Sequence, residues 1–346
     1  MAACVAIESG QADLFLSAWL GIDFRTRGLA VYRLLDAKVT FYRGLPTPGQ
    51  TLRYDIHIER FFRQGDTHLF RFRFEGSANG EPLLTMTNGV AGFFTAEELA
   101  SGKGVVQTGL DLRPLPGVQP DDEAELAPRG VESYSAGQID ALRAGDLAGC
   151  FGPAFAGLKL RAPTRLPGER LKLVDRVVSL EPAGGRFGVG RIRAEADVHT
   201  DDWFLTCHFV DDSVMPGTLM YECCLHTLRI YLMRLGWVDE HDAVVCEPVP
   251  GVASQLKCRG QVTEATHTVT YEVTLKERGY RPEPYAIADA LIYADGKPIV
   301  EITNMSVRFG GLTREGLRDL WASRVALAPG AWVARFAAFR LTFPSV

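Results

Sequence analysis

A run of apolar residues between Thr218 and Leu235 places the strongest constraint on how this chain folds. At helical spacing these residues leave almost no polar face, and a helix that is apolar on every side has to be buried. Segments of alternating polar and apolar residues follow along the chain, and such alternation is typical of strands. We therefore predict an antiparallel sheet curved around one long helix that begins near Thr218.

Two polar side chains interrupt this apolar region at positions suited to chemistry. His208 is predicted to lie on a short strand before the helix, and Glu222, fourteen positions later, lies one turn into the helix. Between them the tight turn Met215-Pro216-Gly217 directs the unpaired N–H groups of the helix start back toward the strand. Such groups can polarise a carbonyl oxygen, and a histidine with an acid suits removal of a proton beside a thioester carbonyl. The alternative for His208 is a structural histidine in the core.

The string HFVDDSVMPGTLMYE, residues 208–222, resembles the signature of β-hydroxyacyl-(acyl-carrier-protein) dehydratases, the hotdog enzymes of fatty acid and polyketide synthesis. It is most similar to the double-hotdog dehydratase region of polyunsaturated fatty acid synthases and related megasynthases. The resemblance implies an active site formed by His208, the turn Met215-Pro216-Gly217 and Glu222. His226 stands where that family usually carries glutamine, so it either hydrogen-bonds near the acid or merely fills the helix face.

An internal repeat supports an α+β double hotdog, in which each unit is an antiparallel sheet around a long buried helix. The interval from Gly44 to Asn88 is 44 positions, and so is the interval from Gly260 to Asn304. Alternating strands joined by turns with Gly, Asn or Asp occupy both intervals, which indicates two similar antiparallel meanders. We therefore expect two units side by side.

The first unit is expected to be truncated at its N-terminus, because no strand precedes its apolar helix at 14–21. If Met1-Ala2 corresponds to Met215-Pro216, Glu8 falls six positions after Ala2, as Glu222 falls six after Pro216. Glu8 is then a second candidate acid. The alternative is a solvated residue on a frayed terminus. The abrupt start suggests a fragment of a larger polypeptide.

Four segments are predicted along the chain. They are a partial first hotdog unit at 1–99, a linker with a short helix at 100–150, the second unit with the motif at 151–311, and a helical tail at 312–346. The linker is inferred from its Gly, Pro and acidic residues, which show no clear period. In the second unit the first strand is expected at 171–178. In the tail a helix is expected at 313–323 and a final apolar segment at 332–343.

Composition narrows the classes of partner. The formal net charge of −5 gives no reason to expect nucleic acid or an anionic membrane surface. Seven cysteines without CxxC spacing favour reduced thiols and a cytoplasmic protein. No apolar run is long enough for a membrane span, and the start does not resemble a secretory signal.

No two histidines have a ligand spacing with a third partner nearby, so no metal site is expected. His57, His68, His199, His241 and His267 are interpreted as strand or loop residues without function.

The family resemblance implies a hydro-lyase that acts on a 3-hydroxyacyl thioester carried on the phosphopantetheine of an acyl carrier protein. The N–H of Gly217 would polarise the thioester oxygen, His208 would remove the C2 proton, and an acid would protonate the departing hydroxyl to leave a trans-2-enoyl product. No cofactor is expected, and partners would be the carrier protein and other synthase domains. Isomerisation of the product is left open.

The acid is left open between two residues. In the family each site takes its histidine from one hotdog and its acid from the other, so within one chain His208 would face Glu8. In a homodimer of second units His208 would instead meet Glu222 of another chain. Two rival functions also remain, a hotdog thioesterase and a non-catalytic double hotdog that serves as a structural or carrier-binding module.

Overall fold

The long apolar segment forms a single helix, α8 (Gly217–Arg234), which begins one residue before the predicted start. Every side chain from Thr218 to Arg234 is buried, as the lack of a polar face predicts. The structure is a computed structural model that describes residues 1–121, 125–161, 164–239 and 244–327. Among the described residues, none of the helices has the length and apolar character needed to span a membrane.

Twelve strands of the described ranges form one antiparallel sheet that packs against this helix. They are β1 (Val31–Phe41), β2 (Leu52–Gln64), β3 (Thr67–Ala78), β4 (Glu81–Phe94), β5 (Glu132–Tyr134), β6 (Arg176–Glu181), β7 (Arg191–Asp197), β8 (Val245–Glu247), β9 (Ala253–Cys258), β10 (Thr268–Tyr280), β11 (Pro284–Ala294) and β12 (Lys297–Gly310). Their order is β2-β3-β4-β1-β9-β12-β11-β10-β7-β6-β5, and β8 pairs with β12. The pairing of β1 with β9 joins the two halves, and the predicted double hotdog is confirmed.

The repeat in the sequence corresponds to a repeat in the sheet, with β1–β4 matching β9–β12 in order. The turns Asn79-Gly80 and Asp295-Gly296 both have two consecutive positive φ angles, 52° and 85° in one and 45° and 81° in the other. That geometry is the one two-residue hairpin turns require. Asn88 in β4 and Asn304 in β12 also share a positive φ, 54° and 57°, beside an irregularity in the pairing. Equal spacing therefore reflects matched hairpins with matched bulges.

Among the described residues the helices are short, apart from α8 (Gly217–Arg234) and α9 (Arg314–Leu327). In chain order they are α1 (Ala3–Glu8), α2 (Asp13–Ser17), α3 (Asp23–Thr26), α4 (Ala96–Ala100), α5 (Ala136–Arg143), α6 (Leu147–Phe151), α7 (Trp203–Cys207), α8 (Gly217–Arg234) and α9 (Arg314–Leu327).

The helix of the first unit is not the single long buried helix that was predicted. It is broken into α1, α2 and α3, with a π-helical turn at Ala18–Ile22 in which Gly21 has φ 120°. Trp19 and Phe24 are each 86% exposed. The reason lies in the covering strands: β7, β6 and β5 extend the sheet beyond β10 in the second unit, whereas in the described part of the first unit the sheet ends at β2.

Three boundaries differ from the sequence prediction. The strand expected at 171–178 is β6 at Arg176–Glu181, preceded by a 3-10 turn at Glu169–Leu171. Part of the expected linker forms β5, which pairs with β6 and so lies in the sheet of the second unit. The tail helix is α9, longer than expected, and the apolar segment predicted at 332–343 lies outside the described residues.

Leu228 offers a test of how much the central helix contributes to stability. Its side chain is fully buried in α8, so Leu228→Ala removes apolar contacts and leaves a cavity. We expect a loss of about 3 kcal/mol in the free energy of unfolding, measured by urea denaturation. Leu29→Ala is the matched control, because Leu29 is 78% exposed. Equal losses in both variants would contradict the central position of α8.

Candidate active site

His208 lies directly after α7 in extended backbone, with φ −136° and ψ 84°, and not on the strand that was predicted. The chain returns on itself immediately: Val214 N donates to His208 O at 2.9 Å, and Phe209 N donates to Asp212 O at 2.8 Å. Asp211 has φ 63°, a left-handed conformation that Asp tolerates better than most residues. These hydrogen bonds form a closed loop, which leaves no room for strand pairing at His208.

The loop also fixes the tautomer of the histidine. His208 Nδ1 lies 2.8 Å from the carbonyl oxygen of Val214. A carbonyl only accepts, so in the neutral imidazole the proton resides on Nδ1 and the Nε2 lone pair is free. The side chain is 20% exposed. His208 therefore presents an unprotonated nitrogen on the side away from its own loop.

Glu8, at the end of α1, faces that nitrogen. Its Oε1 lies 3.8 Å from His208 Nε2. Its Oε2 accepts hydrogen bonds from Thr218 Oγ1 at 2.6 Å and from Gln11 Nε2 at 2.9 Å. One carboxyl oxygen is thus held by the protein and the other points toward the histidine. This is not the environment of a solvated residue on a frayed terminus, the alternative weighed for Glu8.

The neighbours of Glu222 are Cys4 and His226, although its spacing from His208 predicted that the two share a site. Glu222 is buried in α8, its Oε2 accepts from Cys4 N at 3.0 Å, and its Oε1 lies 3.2 Å from His226 Nε2, an ion-pair distance without hydrogen-bond geometry. Burial raises the pKa of Glu222, but the adjacent His226 and the Cys4 N–H more than offset it, so the pKa is below its usual value. Burial lowers the pKa of His226.

The two acids are related by the internal repeat. Glu8 is the sixth residue of α1 and Glu222 the sixth of α8, and both helices follow an extended residue, Ala2 or Pro216. Each carboxylate is bound by the second residue of the opposite helix, Thr218 for Glu8 and Cys4 for Glu222. The assumed correspondence between the two helix starts therefore holds in the structure, and it brings one acid, Glu8, to the histidine.

A small cavity of about 50 Å³ adjoins these groups, and Met215 and Gly217 line it together with His208 and Glu8. A methyl group on Gly217 would lie 3.6 Å from Cys258 Sγ, an ordinary contact, so packing alone does not demand glycine there. The first N–H groups of a helix have no partner within it. The start of α8 thus presents donors to the cavity, while Pro216 and His226, also predicted for the site, do not line it.

A second cavity, of about 210 Å³, adjoins the first and shares five lining residues with it, namely Arg33, Leu34, Cys258, Gly260 and Gln261. It extends to Leu99 and Lys103 beside α4. Pairing between β1 and β9 runs from Asp36–Lys257 to Thr40–Ala253. Leu34 and Gly260 lie beyond that pairing, so the cavities occupy the place where the two units separate.

An ion pair that the sequence did not reveal ties the first unit to the histidine loop. Arg33 of β1 donates to both carboxylate oxygens of Asp212, at 2.6 and 2.7 Å, and its Nε donates to Gln261 Oε1 at 2.9 Å. Both side chains of the pair are less than one fifth exposed. A bidentate contact of this kind fixes direction as well as distance. The loop that carries His208 is therefore anchored to the unit that carries Glu8.

Asp13 is a second residue near the site that the sequence did not predict. It is fully buried, its Oδ2 accepts from the Tyr32 hydroxyl at 3.0 Å, and its Oδ1 has no hydrogen-bond partner. Burial raises the pKa of Asp13 to about 7; the Tyr32 hydrogen bond opposes this and the charge of Glu8 adds to it. A carboxyl at the start of an apolar helical segment was the available signal, since burial of a carboxyl is costly unless the group is paired.

The remaining histidines of the described residues do not line the small cavity. His57, His199 and His267 are exposed and His68 is half-buried, while His241 lies outside the described residues. Within the described ranges, no group of three or more His, Cys, Asp or Glu side chains could hold a metal ion.

Comparison with known proteins identifies the second unit independently. Residues 166–303 match the family model described as a FabA-like domain. The chain is 36% identical over 298 residues to a polyunsaturated fatty acid synthase subunit from Thraustochytrium sp., a match that spans 83% of this chain and 20% of that protein. The chain thus corresponds to about a fifth of the length of this curated relative. The predicted family relationship is confirmed.

Solved structures of related topology are more distant. A MaoC-like dehydratase is 15% identical, with a TM-score of 0.40 and coverage of 89% of this chain and 82% of its own. An acyl-CoA thioesterase II from Mycobacterium marinum is 11% identical, with a TM-score of 0.34 and coverage of 82% and 83%. At these values the similarities carry no argument about function.

The buried Asp13 predicts a specific dependence of stability on pH. Its pKa is about 7 in the folded state against an ordinary 3.8, so the folded protein holds a proton between pH 4 and 7 that the unfolded chain releases. The stability of the folded state that depends on this bound proton is fully present below pH 4 and is lost as pH rises to 7. Relative to the unaltered protein, Asp13→Asn should therefore gain up to about 4 kcal/mol between pH 4 and 8.

The measurement is urea denaturation of both proteins at several pH values. Asp23→Asn is the matched control, because Asp23 is exposed on the neighbouring helix α3. A difference between Asp13→Asn and the unaltered protein that stays constant with pH would show that Asp13 is ionised throughout this range.

Proposed function

We propose that this chain, a member of the hotdog dehydratase family of the polyunsaturated fatty acid synthase type, converts a 3-hydroxyacyl thioester to a trans-2-enoyl thioester. The observation that carries the proposal is the pairing of His208 Nε2 with Glu8 Oε1, 3.8 Å apart, beside the cavity that Gly217 also lines. A free imidazole nitrogen and a carboxyl at this separation can act on adjacent carbons of one substrate.

The first step is removal of the C2 proton. The N–H groups at the start of α8 would bind the thioester oxygen and stabilise the negative charge that develops there. His208 Nε2 would take the proton, because the Val214 carbonyl holds the other ring proton on Nδ1. The imidazolium that forms keeps its hydrogen bond to Val214 and lies next to Glu8.

The second step is departure of the 3-hydroxyl group. In the complex with substrate, a protonated Glu8 would donate from Oε1 to the leaving oxygen, which departs as water as the C2–C3 double bond forms. Thr218 and Gln11 hold Oε2 throughout, so Oε1 stays directed at the substrate. After release, the proton on His208 Nε2 passes to Glu8 Oε1, and both groups regain their starting protonation states.

Glu222 is unsuited to the role of acid. Its carboxylate is buried, binds the Cys4 N–H and lies beside His226. Its pKa is below the usual value, which favours the ionised form that cannot donate a proton. This supports a site completed within one chain, with the histidine from the second unit and the acid from the first.

The substrate is proposed to arrive on the phosphopantetheine arm of an acyl carrier protein, and the other partners are proposed to be further synthase domains. The support is the similarity to part of a polyunsaturated fatty acid synthase. The pair of cavities between the units offers a route to His208 that passes Lys103 and Leu99. The reaction is proposed to need no cofactor, and its location is proposed to be the cytoplasm, in keeping with seven free cysteines.

The test is turnover of a 3-hydroxyacyl pantetheine thioester, followed as enoyl absorbance. His208→Ala removes the base and should lower kcat on the order of a hundredfold to ten-thousandfold. His57→Ala is the matched control, because His57 is exposed on β2. Release of free thiol is followed in parallel. Thiol release without enoyl product would show that the chain hydrolyses the thioester and does not dehydrate it.

The acid is identified by comparing Glu8→Gln with Glu222→Gln. Glu8→Gln keeps the size of the side chain and removes its transferable proton, so kcat should fall by a factor similar to that of His208→Ala. Glu222→Gln should leave most of the turnover in protein that remains folded. The reverse ranking, with turnover lost in Glu222→Gln and kept in Glu8→Gln, would overturn the pairing within one chain.

A further inference from the structure

A chain of polar side chains runs from the buried Asp13 to Glu8. Tyr32 OH lies 3.0 Å from Asp13 Oδ2 and 3.4 Å from Gln11 Oε1. Gln11 Nε2 donates to Glu8 Oε2 at 2.9 Å. Tyr32 and Gln11 line the small cavity with His208, whereas Asp13 is buried behind them. A group that the reaction does not touch is therefore linked through two side chains to the acid.

The direction of the hydrogen bonds between Asp13 and Glu8 depends on the hydroxyl proton of Tyr32. Tyr32 has a single hydroxyl hydrogen, so it donates to Asp13 or to Gln11 but not fully to both. An ionised Asp13 can only accept, which draws the Tyr32 hydroxyl toward it and leaves Gln11 Oε1 without this donor. A neutral Asp13 can donate from Oδ2 to the Tyr32 oxygen, and Tyr32 then donates to Gln11 Oε1. The Gln11 amide is then held at both ends.

We propose that Asp13 is a positioning residue that, in its neutral form, acts through Tyr32 and Gln11 to hold the Glu8 carboxyl in the orientation needed for proton donation. The inference rests on the proposed dehydration. The unpartnered Oδ1 supports the neutral form, since a buried carboxyl oxygen without a donor is less costly when uncharged. The raised pKa of Asp13 agrees with this geometry.

The surroundings of Asp13 contain no compensating cation among the described groups that act on it. Glu8 faces it from α1 and Tyr32 from β1. On β2, which packs against α2, the half-buried Tyr54 donates to Ala6 O. Arg33, next to Tyr32 on β1, is engaged by Asp212. Ionisation of Asp13 would place a second negative charge near Glu8, and the Tyr32 hydroxyl, turned toward that charge, would partly offset it while Gln11 loses its donor.

The first arm of the test is the pH dependence of kcat. In the unaltered enzyme kcat should fall about tenfold between pH 7 and 8.5 as Asp13 ionises. Asp13→Asn keeps an acceptor and a donor but cannot ionise, so this fall should disappear while kcat at pH 6 and KM stay within about twofold of the unaltered values. Asp23→Asn, exposed on α3, should keep the unaltered profile. An unchanged fall in Asp13→Asn would overturn the proposal.

Tyr32→Phe interrupts the series of hydrogen bonds between Asp13 and Glu8. It should lower kcat with little change in KM, and adding Asp13→Asn to it should have no further effect on the pH profile. A merely structural role for Asp13 would instead produce the same change in profile with or without the Tyr32 hydroxyl, and that outcome also overturns the proposal.

The second arm needs no catalysis and so separates this inference from the proposed function. The infrared band of the protonated Asp13 carboxyl is identified as the one lost in Asp13→Asn, and its disappearance is followed as pH rises. Coupling between sites is reciprocal, so Glu8→Gln should move this titration to lower pH and Tyr32→Phe should shift the band itself. If the unaltered chain does not dehydrate, these shifts still establish the chain of contacts, and their absence overturns it.

Discussion

The contact between α1 and α8 determines whether this molecule has a site. Each helix begins after an extended residue, and each places its sixth residue, a glutamate, against the second residue of the other helix. Because the two starts are packed against each other, the helix N-terminus of one unit and the carboxyl of the other meet beside a single histidine. The β1–β9 pairing and the Arg33–Asp212 ion pair link the two units on either side of this contact.

The two glutamates show how one side chain type acquires two roles from its surroundings. Glu8 keeps one oxygen toward the cavity, while Glu222 has both oxygens close to protein groups in a closed interior. Their positions in the repeat are equivalent, so the difference comes from the neighbours alone. His208 lies beside Glu8, whereas His226 lies beside Glu222.

Features that follow from the position of residues along the chain were predictable from the sequence. The turn before α8, the burial of that helix and the six-residue step to Glu8 and Glu222 are local properties, and all were found by position in the chain. The repeat spacing was informative because hairpin turns at Asn79-Gly80 and Asp295-Gly296 need specific residues. Which acid His208 contacts was left open between two arrangements, because that depends on how distant segments pack.

Other features had no readable signal. The strand assigned to His208 is a turn of helix followed by a loop, since hydrogen bonds within 208–214 replace strand pairing. Arg33 and Tyr32 follow one another on a strand, and nothing in their spacing shows that one binds a carboxylate 179 positions away and the other a buried acid. The helix of the first unit is broken because fewer strands cover it. Helix propensity along the sequence carries no information about such covering strands.

The uncovered side of the first unit has a consequence for how the chain behaves in solution. In the described residues β2 pairs with β3 on one side only, and the exposed Trp19 and Phe24 lie on the helical segment that packs nearby. Alternate positions of β2 carry Arg53, Asp55, His57 and Glu59, exposed and mostly charged, and charges on an edge strand discourage pairing with another chain. Kosmotropic salts such as sulfate screen charges and also strengthen apolar association. A high concentration of such a salt should therefore drive this chain toward self-association, and low ionic strength should keep single molecules apart.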